Sequence, residues 1–297
     1  MTISSRPEQD QPLGIPTRFH VPRPAKAGIA GACAAALLML ALQPAAAQGR
    51  LEAHYEASLA GISVGRGTWG IDIGDDYYSA SAQGATAGLM KAFSGGTGSG
   101  SVQGRIVNGA LVPQAYTASV SSKKSETIRI TLGGGNVRDF SIEPEPPVDA
   151  DRVVVTEAHK KGVIDPMTSS LVRVPGNGDP LGPEACRGGS SVFDGRLRYD
   201  LKLDFKRMET VRAEKGYHGP AVVCAVYFTP VAGYIPDRPV IKYLAGERRM
   251  EIVLVPIAGT RVLVPFRLYI PTPFGPAVLE ATQFNTVALP PRVAKTQ

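Results

Sequence analysis

Apolar and polar positions alternate along most of this chain. Leu51, Ala53, Tyr55, Ala57 and Leu59 are interleaved with Arg50, Glu52, His54, Glu56 and Ser58, the period-two pattern of a strand with one dry face and one wet face. Ala60-Gly61 turns the chain, Trp69, Ile71 and Ile73 share one face of the next strand, and Gly74-Asp75-Asp76 turns it again into Tyr77 to Ala82. Strands joined by tight turns in this way make a meander. The pattern resumes at 111–121 and 126–132 across Ser122-Lys123-Lys124-Ser125, then at 137–142 after Gly133-Gly134-Gly135-Asn136. Farther on, Leu197, Tyr199, Leu201, Leu203 and Phe205 face inward while Arg196, Arg198, Asp200, Lys202 and Asp204 face out. Residues 221–228 are apolar on both faces, which suits a central strand. Segments 243–247, 249–256, 262–270 and 277–286 bring the tally to about twelve strands.

Helical spacing is confined to two short places. One is 85–93, with Leu89, Met90 and Phe93 on its apolar side. The other is 166–172, where Asp165 caps, Pro166 occupies the first helical position and Pro175-Gly176 stops the helix. The glycine- and serine-rich run 94–104 lacks the spacing of a phosphate loop and reads as a smooth strand or loop against which another element packs. Residues 177–191 read as loop, Tyr217-His218-Gly219-Pro220 as a turn, and Pro144, Pro146 and Pro147 as an exposed crossing. Pro265 and Pro271 mark edges or bends, because proline cannot donate to a ladder. No fixed period recurs, which argues against a propeller or solenoid.

The N-terminus changes the setting. An apolar stretch from Gly28 to Leu42 follows Arg18, Arg23 and Lys26, and leads to Pro44 and Ala45-Ala46-Ala47. A basic start, a short apolar centre and a small-residue cleavage site make residues 1–47 a secretory signal peptide. Its apolar centre falls short of the roughly 20 residues of a membrane span, and an uncleaved anchor is the weaker alternative. Cys33 lies inside the apolar stretch rather than after it, so lipidation is not expected. What remains, 48–297, is expected to be a single exported β-rich domain in the periplasm, not integral to the membrane after cleavage.

The chain carries 32 Lys plus Arg against 26 Asp plus Glu, and 28 against 24 remain after residue 47. This mild, scattered excess does not form the clustered footprint that nucleic acid needs. Export removes Cys33 and leaves Cys186 and Cys224, an even pair that reads as a disulfide in an oxidising compartment.

Chemistry is sparse. His54, His159 and His218 stand alone, without metal-ligand spacing, so neither metal nor cofactor is expected. Gly188-Gly189-Ser190-Ser191 lacks the nucleophile-elbow spacing, and no carboxylate pair is singled out as catalytic. Two clusters are denser than plain surface. Asp194 begins a turn with Gly195, after which Arg196 and Arg198 share a face able to bind an acidic group, beside Tyr199. Arg267 lies in the second cluster, Pro265 to Gly275, whose Pro273 to Gly275 forms a hairpin turn. Turn chemistry and cross-strand ion pairing explain both without a ligand.

Taken in order, Tyr55 with Gly61 and Gly65, Asp165-Pro166, Val192-Phe193-Asp194-Gly195-Arg196, Arg198-Tyr199, Cys186, Cys224, Pro265, Pro271-Thr272 and Gly275 resemble a proteobacterial exported family catalogued as domain of unknown function 3108. The resemblance spans roughly 51–286. It implies a mainly β periplasmic domain, a long curved antiparallel sheet or open, spiral β-barrel with one or two short helices, and no assigned activity. In outline the chain is also similar to alphaproteobacterial envelope proteins with spiral sheets and a disulfide. The expectation is a non-enzymatic protein that supports envelope integrity by binding a partner protein, cell-wall polymer or lipid. The alternatives are a lipid or lipoprotein carrier with an apolar cavity, and an uncharacterised hydrolase.

Overall fold

The computed structural model describes residues 48–88, 95–147 and 149–290. The signal peptide read at 1–47 lies outside them, as does the 89–93 part of the first expected helix. Seven strands run as a meander: β1 (Gln48–Leu59), β2 (Ile62–Ile73), β3 (Tyr77–Thr86), β4 (Thr97–Val107), β5 (Ala110–Ser121), β6 (Ser125–Gly133) and β7 (Asn136–Glu143). After a crossing come β8 (Val172–Arg173), β9 (Gly188–Phe193), β10 (Arg198–Arg212), β11 (Lys215–Gly216) and β12 (His218–Ala232). The series closes with β13 (Glu251–Pro256), β14 (Val262–Ile270) and β15 (Ala277–Leu289).

All fifteen strands belong to one sheet, ordered β7-β6-β5-β4-β3-β2-β1-β15-β14-β13-β12-β10-β9, with β11 beside β15 and β8 beside β14. The sheet is therefore two meanders joined where β1 pairs antiparallel with β15 along its whole length. It is curled but not closed by strand pairing, and its free edges are β7 and β9. A short segment between them stitches these edges together. Val163 N–H donates to Gly135 O at 2.8 Å, Ile164 N–H to Ser191 O at 2.9 Å, and Phe193 N–H to Ile164 O at 3.0 Å. Apolar burial follows the same seam, since Val163, Phe193, Ile130 and Leu132 form one buried cluster.

The main core is built from the inward faces of β1 to β4 and β15 against β12 to β14. Leu51, Ile71, Tyr78, Val223, Val255 and Phe266 are among its buried members. The expected double burial of β12 is observed: Ala221 and Val223 join this core, while Val222 and Cys224 join a second cluster with Leu254 and Leu263.

Several local expectations are corrected. Residues 243–246 of the strand expected over 243–247 belong instead to α2 (Pro239–Gly246), and Glu247 follows its end. The helix's signals were Pro239 at the first position and the Tyr243–Glu247 hydrogen bond of 2.9 Å, one helical turn apart. Ala85 and Thr86 end β3 instead of opening a helix. Gly188 to Ser191, expected as loop, belong to β9 and pair with β10 at the sheet edge, because pairing supplies what these weak β formers do not. His218 starts β12 rather than sitting in a turn. The helix expected over 166–172 is the single turn α1 (Pro166–Ser169), since Leu171 and Val172 are drawn into the core and to β14. Pro265, by contrast, takes the second of its two expected settings, a bend and not an edge: the β13–β14 ladder slips by one residue there, between Val253 and Leu254.

Candidate apolar binding site

Cross-strand register brings inward residues of successive strands into rows. One row runs Leu51, Ile71, Ala80, Val102, Tyr116, Ile130, and most of it is fully buried. The next runs Ala53, Trp69, Ala82, Gly100, Ala118, Ile128, and the third Tyr55, Gly67, Gly84, Gly98, Val120. Side chains thus shrink along the strands until the wall is bare backbone.

The result is a hollow of about 1160 Å³ on the concave face, above the roughly 300–1,000 Å³ that suits a drug-sized ligand. Its glycine wall faces Leu201, Leu203, Val226, Phe228, Ile252 and Leu268 from the second meander. Those residues share a face through the pairs Leu201–Phe228, Leu203–Val226 and Ile252–Leu268. Leu279 and Ala57, directly paired, complete the wall between the two meanders.

Gly84 and Gly98 are not forced by backbone geometry. Neither has a positive φ, and a Cβ would meet only Arg66 O at 3.5 Å or Ser119 O at 3.7 Å, ordinary contacts. Glycine inside a strand costs roughly 0.5–1 kcal/mol relative to alanine. What these two positions leave is room.

The inner end of the hollow is set by α1. Asp165 Oδ1 accepts from Met167 and Thr168 N–H, both at 2.9 Å, and caps the turn. Thr168 bonds Tyr78 Oη at 2.8 Å, and Met167 packs 3.9 Å from where a Gly100 Cβ would lie. Asp165 is fully buried and its Oδ2 has no hydrogen-bond partner, so burial raises its pKa. Burial also pushes the Tyr116 hydroxyl up to about 12 and raises Tyr199, with the Asp165 and Asp194 carboxylates adding to both shifts. On the opposite side, Tyr55 Oη donates to Pro265 O at 2.6 Å and ties β1 to β14.

The disulfide expected between Cys186 and Cys224 is present, with Cα atoms 5.5 Å apart. It fastens a 3-10 turn (Pro183–Cys186) to β12, and Ala185, Arg187 and Gly188 beside it line the hollow.

The residues singled out in the sequence lie elsewhere and have partners. Asp194 Oδ1 accepts from Arg196 N–H at 2.8 Å and Leu197 N–H at 2.6 Å, closing the turn before β10. Arg196 pairs with Glu126 of β6, across the stitched seam. Arg198 bonds Asp200 and Ser191, both at 2.8 Å. Tyr199 stacks 5.4 Å from Phe228. Arg267 belongs to a separate ladder with Glu209 at 2.5 Å and Glu280 at 3.3 Å, so it does not join the Asp194 group. His54, His159 and His218 occupy β1, a 3-10 turn and β12. The glycine wall was missed because its signal, alternate glycines on adjacent strands, emerges only once the registers are aligned.

A family model described as "Protein of unknown function (DUF3108)" matches residues 54–282. No curated protein matches. Among solved structures, a β-barrel-like protein of domain of unknown function DUF1849 from Brucella abortus is similar at 9% identity with a TM-score of 0.43, covering 81% of this chain and 98% of that one.

Proposed function

We propose, for a chain that belongs to the DUF3108 family of proteins of unknown function, that it is an exported envelope protein whose hollow holds the hydrocarbon chain of a lipid or lipid-modified partner. The observation that carries this is the glycine wall opposite an aliphatic one: the strands sacrifice intrinsic stability at Gly84 and Gly98 to keep an apolar space empty of side chains. Apolar ligands gain roughly 0.8 kcal/mol per buried CH₂, so an elongated aliphatic hollow selects for chain length rather than for a polar signature. The buried disulfide supports export. Among the described residues no helix is long and apolar enough to cross a membrane. This reading favours the carrier role over scaffolding by surface contacts, because Asp194, Arg196, Arg198 and Arg267 are already engaged within the fold.

Native mass spectrometry of the protein purified from its envelope under mild conditions tests the proposal. The expected spectrum contains a lipid-mass adduct, which Gly84→Val and Gly98→Val abolish while the circular dichroism of the strands is kept. Ligand-free wild-type protein that also fails to take up a fluorescent fatty acid would overturn it.

A further inference from the structure

The register places the β1–β2 turn, the β5–β6 turn, the segment holding α2 and the β14–β15 turn at one end of the curled sheet, beyond the glycine wall. Leu244 of α2, Val64, Ile270 and Leu279 line the hollow at this same end, which is its mouth.

Two of these connections meet. Ala60 N–H donates to Pro276 O at 2.8 Å, and a Cβ on Gly275 would lie 2.7 Å from that of Ala60. The paired tips present Phe274, 81% exposed, and Ile62, 56% exposed, while α2 adds Val240 at 57%. Isolated exposed valines are ordinary, but a bare phenylalanine beside an isoleucine at the lip of an apolar hollow is not. The turn around Phe274 is also held rigid, with Thr272 and Gly275 exchanging backbone hydrogen bonds of 3.1 Å.

The α2 segment at this lip carries more cations than anions. The β12–β13 connection carries Arg238, Lys242, Arg248 and Arg249 against Asp237 and Glu247. Glu247 is consumed by Arg249, with bonds of 2.9 and 2.8 Å, and Asp237 by Lys242 at 2.8 Å. Arg238 and Arg248 have no carboxylate partner among the described residues and are exposed. The Arg248 guanidinium also lies 5.7 Å from the centre of the Tyr227 ring. Apolar side chains that protrude beside cations without a carboxylate partner match an anionic lipid surface, where the former enter the acyl boundary and the latter meet headgroups.

We infer that the protein docks mouth-first on an anionic lipid bilayer through Phe274, Ile62 and Val240, with Arg238 and Arg248 meeting the headgroups. This inference rests on the proposed acyl-binding hollow, because docking at the mouth gives a chain a path from bilayer to cavity without crossing water.

The test separates the two readings by measuring vesicle co-sedimentation and uptake of a soluble fluorescent fatty acid on the same preparations. Wild-type protein is expected to sediment with phosphatidylglycerol-containing vesicles and far less with pure phosphatidylcholine. Phe274→Asp with Ile62→Asp should abolish sedimentation and leave fatty-acid uptake unchanged. Phe274→Ser serves as a milder change should the double variant misfold. Arg238→Glu or Arg248→Glu should each weaken vesicle binding about fivefold at low salt, and less at high salt. Absence of wild-type vesicle binding, or binding indifferent to lipid charge and to Phe274, overturns docking whatever the uptake. Lost uptake with intact, charge-dependent sedimentation overturns the cavity reading alone.

Discussion

Following β2, β3 and β4 along their inward faces, Ile71, Ala80 and Val102 give way to Trp69, Ala82 and Gly100, and then to Gly67, Gly84 and Gly98. The two ends of the same strands share backbone pairing, sheet curvature and neighbours in sequence. They differ only in what the side chains fill. At one end complementary packing buries every inward position, and at the other the same ladder encloses space. Hydrophobic burial therefore sustains the filled end, while the hollow end depends more on strand pairing and on the ties beside it, the Tyr55–Pro265 hydrogen bond and the disulfide. Stability and ligand capacity are in this way separated along a few residues of each strand.

The largest effect is expected at the covalent link beside the hollow. The disulfide closes a separation of 38 residues beside the hollow, and Cys224→Ala with Cys186→Ala should cost about 4 kcal/mol in denaturant unfolding. A loss well below 1 kcal/mol would show that the hollow end does not depend on the bond. Next is Ile71→Ala at the filled end, where a cavity in close-packed surroundings should cost about 3 kcal/mol. Leu279→Ala, facing the hollow, should cost distinctly less, and equal losses at the two sites would dissolve the contrast.

Gly98→Val should have the opposite sign on folding, adding about 0.5–1 kcal/mol of stability while abolishing the lipid adduct. Destabilisation there would mean that the wall needs glycine for its backbone. The smallest effect concerns pH. Burial raises the Asp165 pKa above its ordinary 3.8, so the folded state holds the proton more tightly than the unfolded chain. The resulting stability is complete below about pH 4 and is lost as pH rises through the folded value. Asp165→Asn keeps a capping acceptor and removes this loss. Its stability profile should be flatter than wild type from pH 4 to 7, with the slope of the same sign from Asp194 remaining.

Much of the sheet was legible because period two survives wherever one face is wet. Leu51 to Tyr55 alternates as read, 56–59 being uniformly half-buried, and 262–270 is β14 to the residue. Tyr243 to Glu247 was misread because five residues fit either period, and only Pro239 and the following turn of helix distinguish them. Gly188 to Ser191 was misread because its strand character comes from β10 and the stitched seam, not from its own residues. The Asp194 cluster was conspicuous because it satisfies itself: dense polar chemistry in sequence is also what turns and seams require. The hollow left almost no mark, since absence of side chains acquires meaning only when strands far apart in sequence are laid side by side.

The junction of β1 with β15 has a temporal consequence. Gln48 finds its partner in Leu289 and Leu59 in Ala277, so the seam joining the two meanders awaits the last strand to be synthesised. Until then each meander offers an unpaired β1 or β14 edge, and such non-local closure is slow and exposed to wrong partners. The concave face, largely apolar, is open over the same interval. A chain built this way is most vulnerable just before completion, and whatever accompanies it along its route must shield it until β15 arrives.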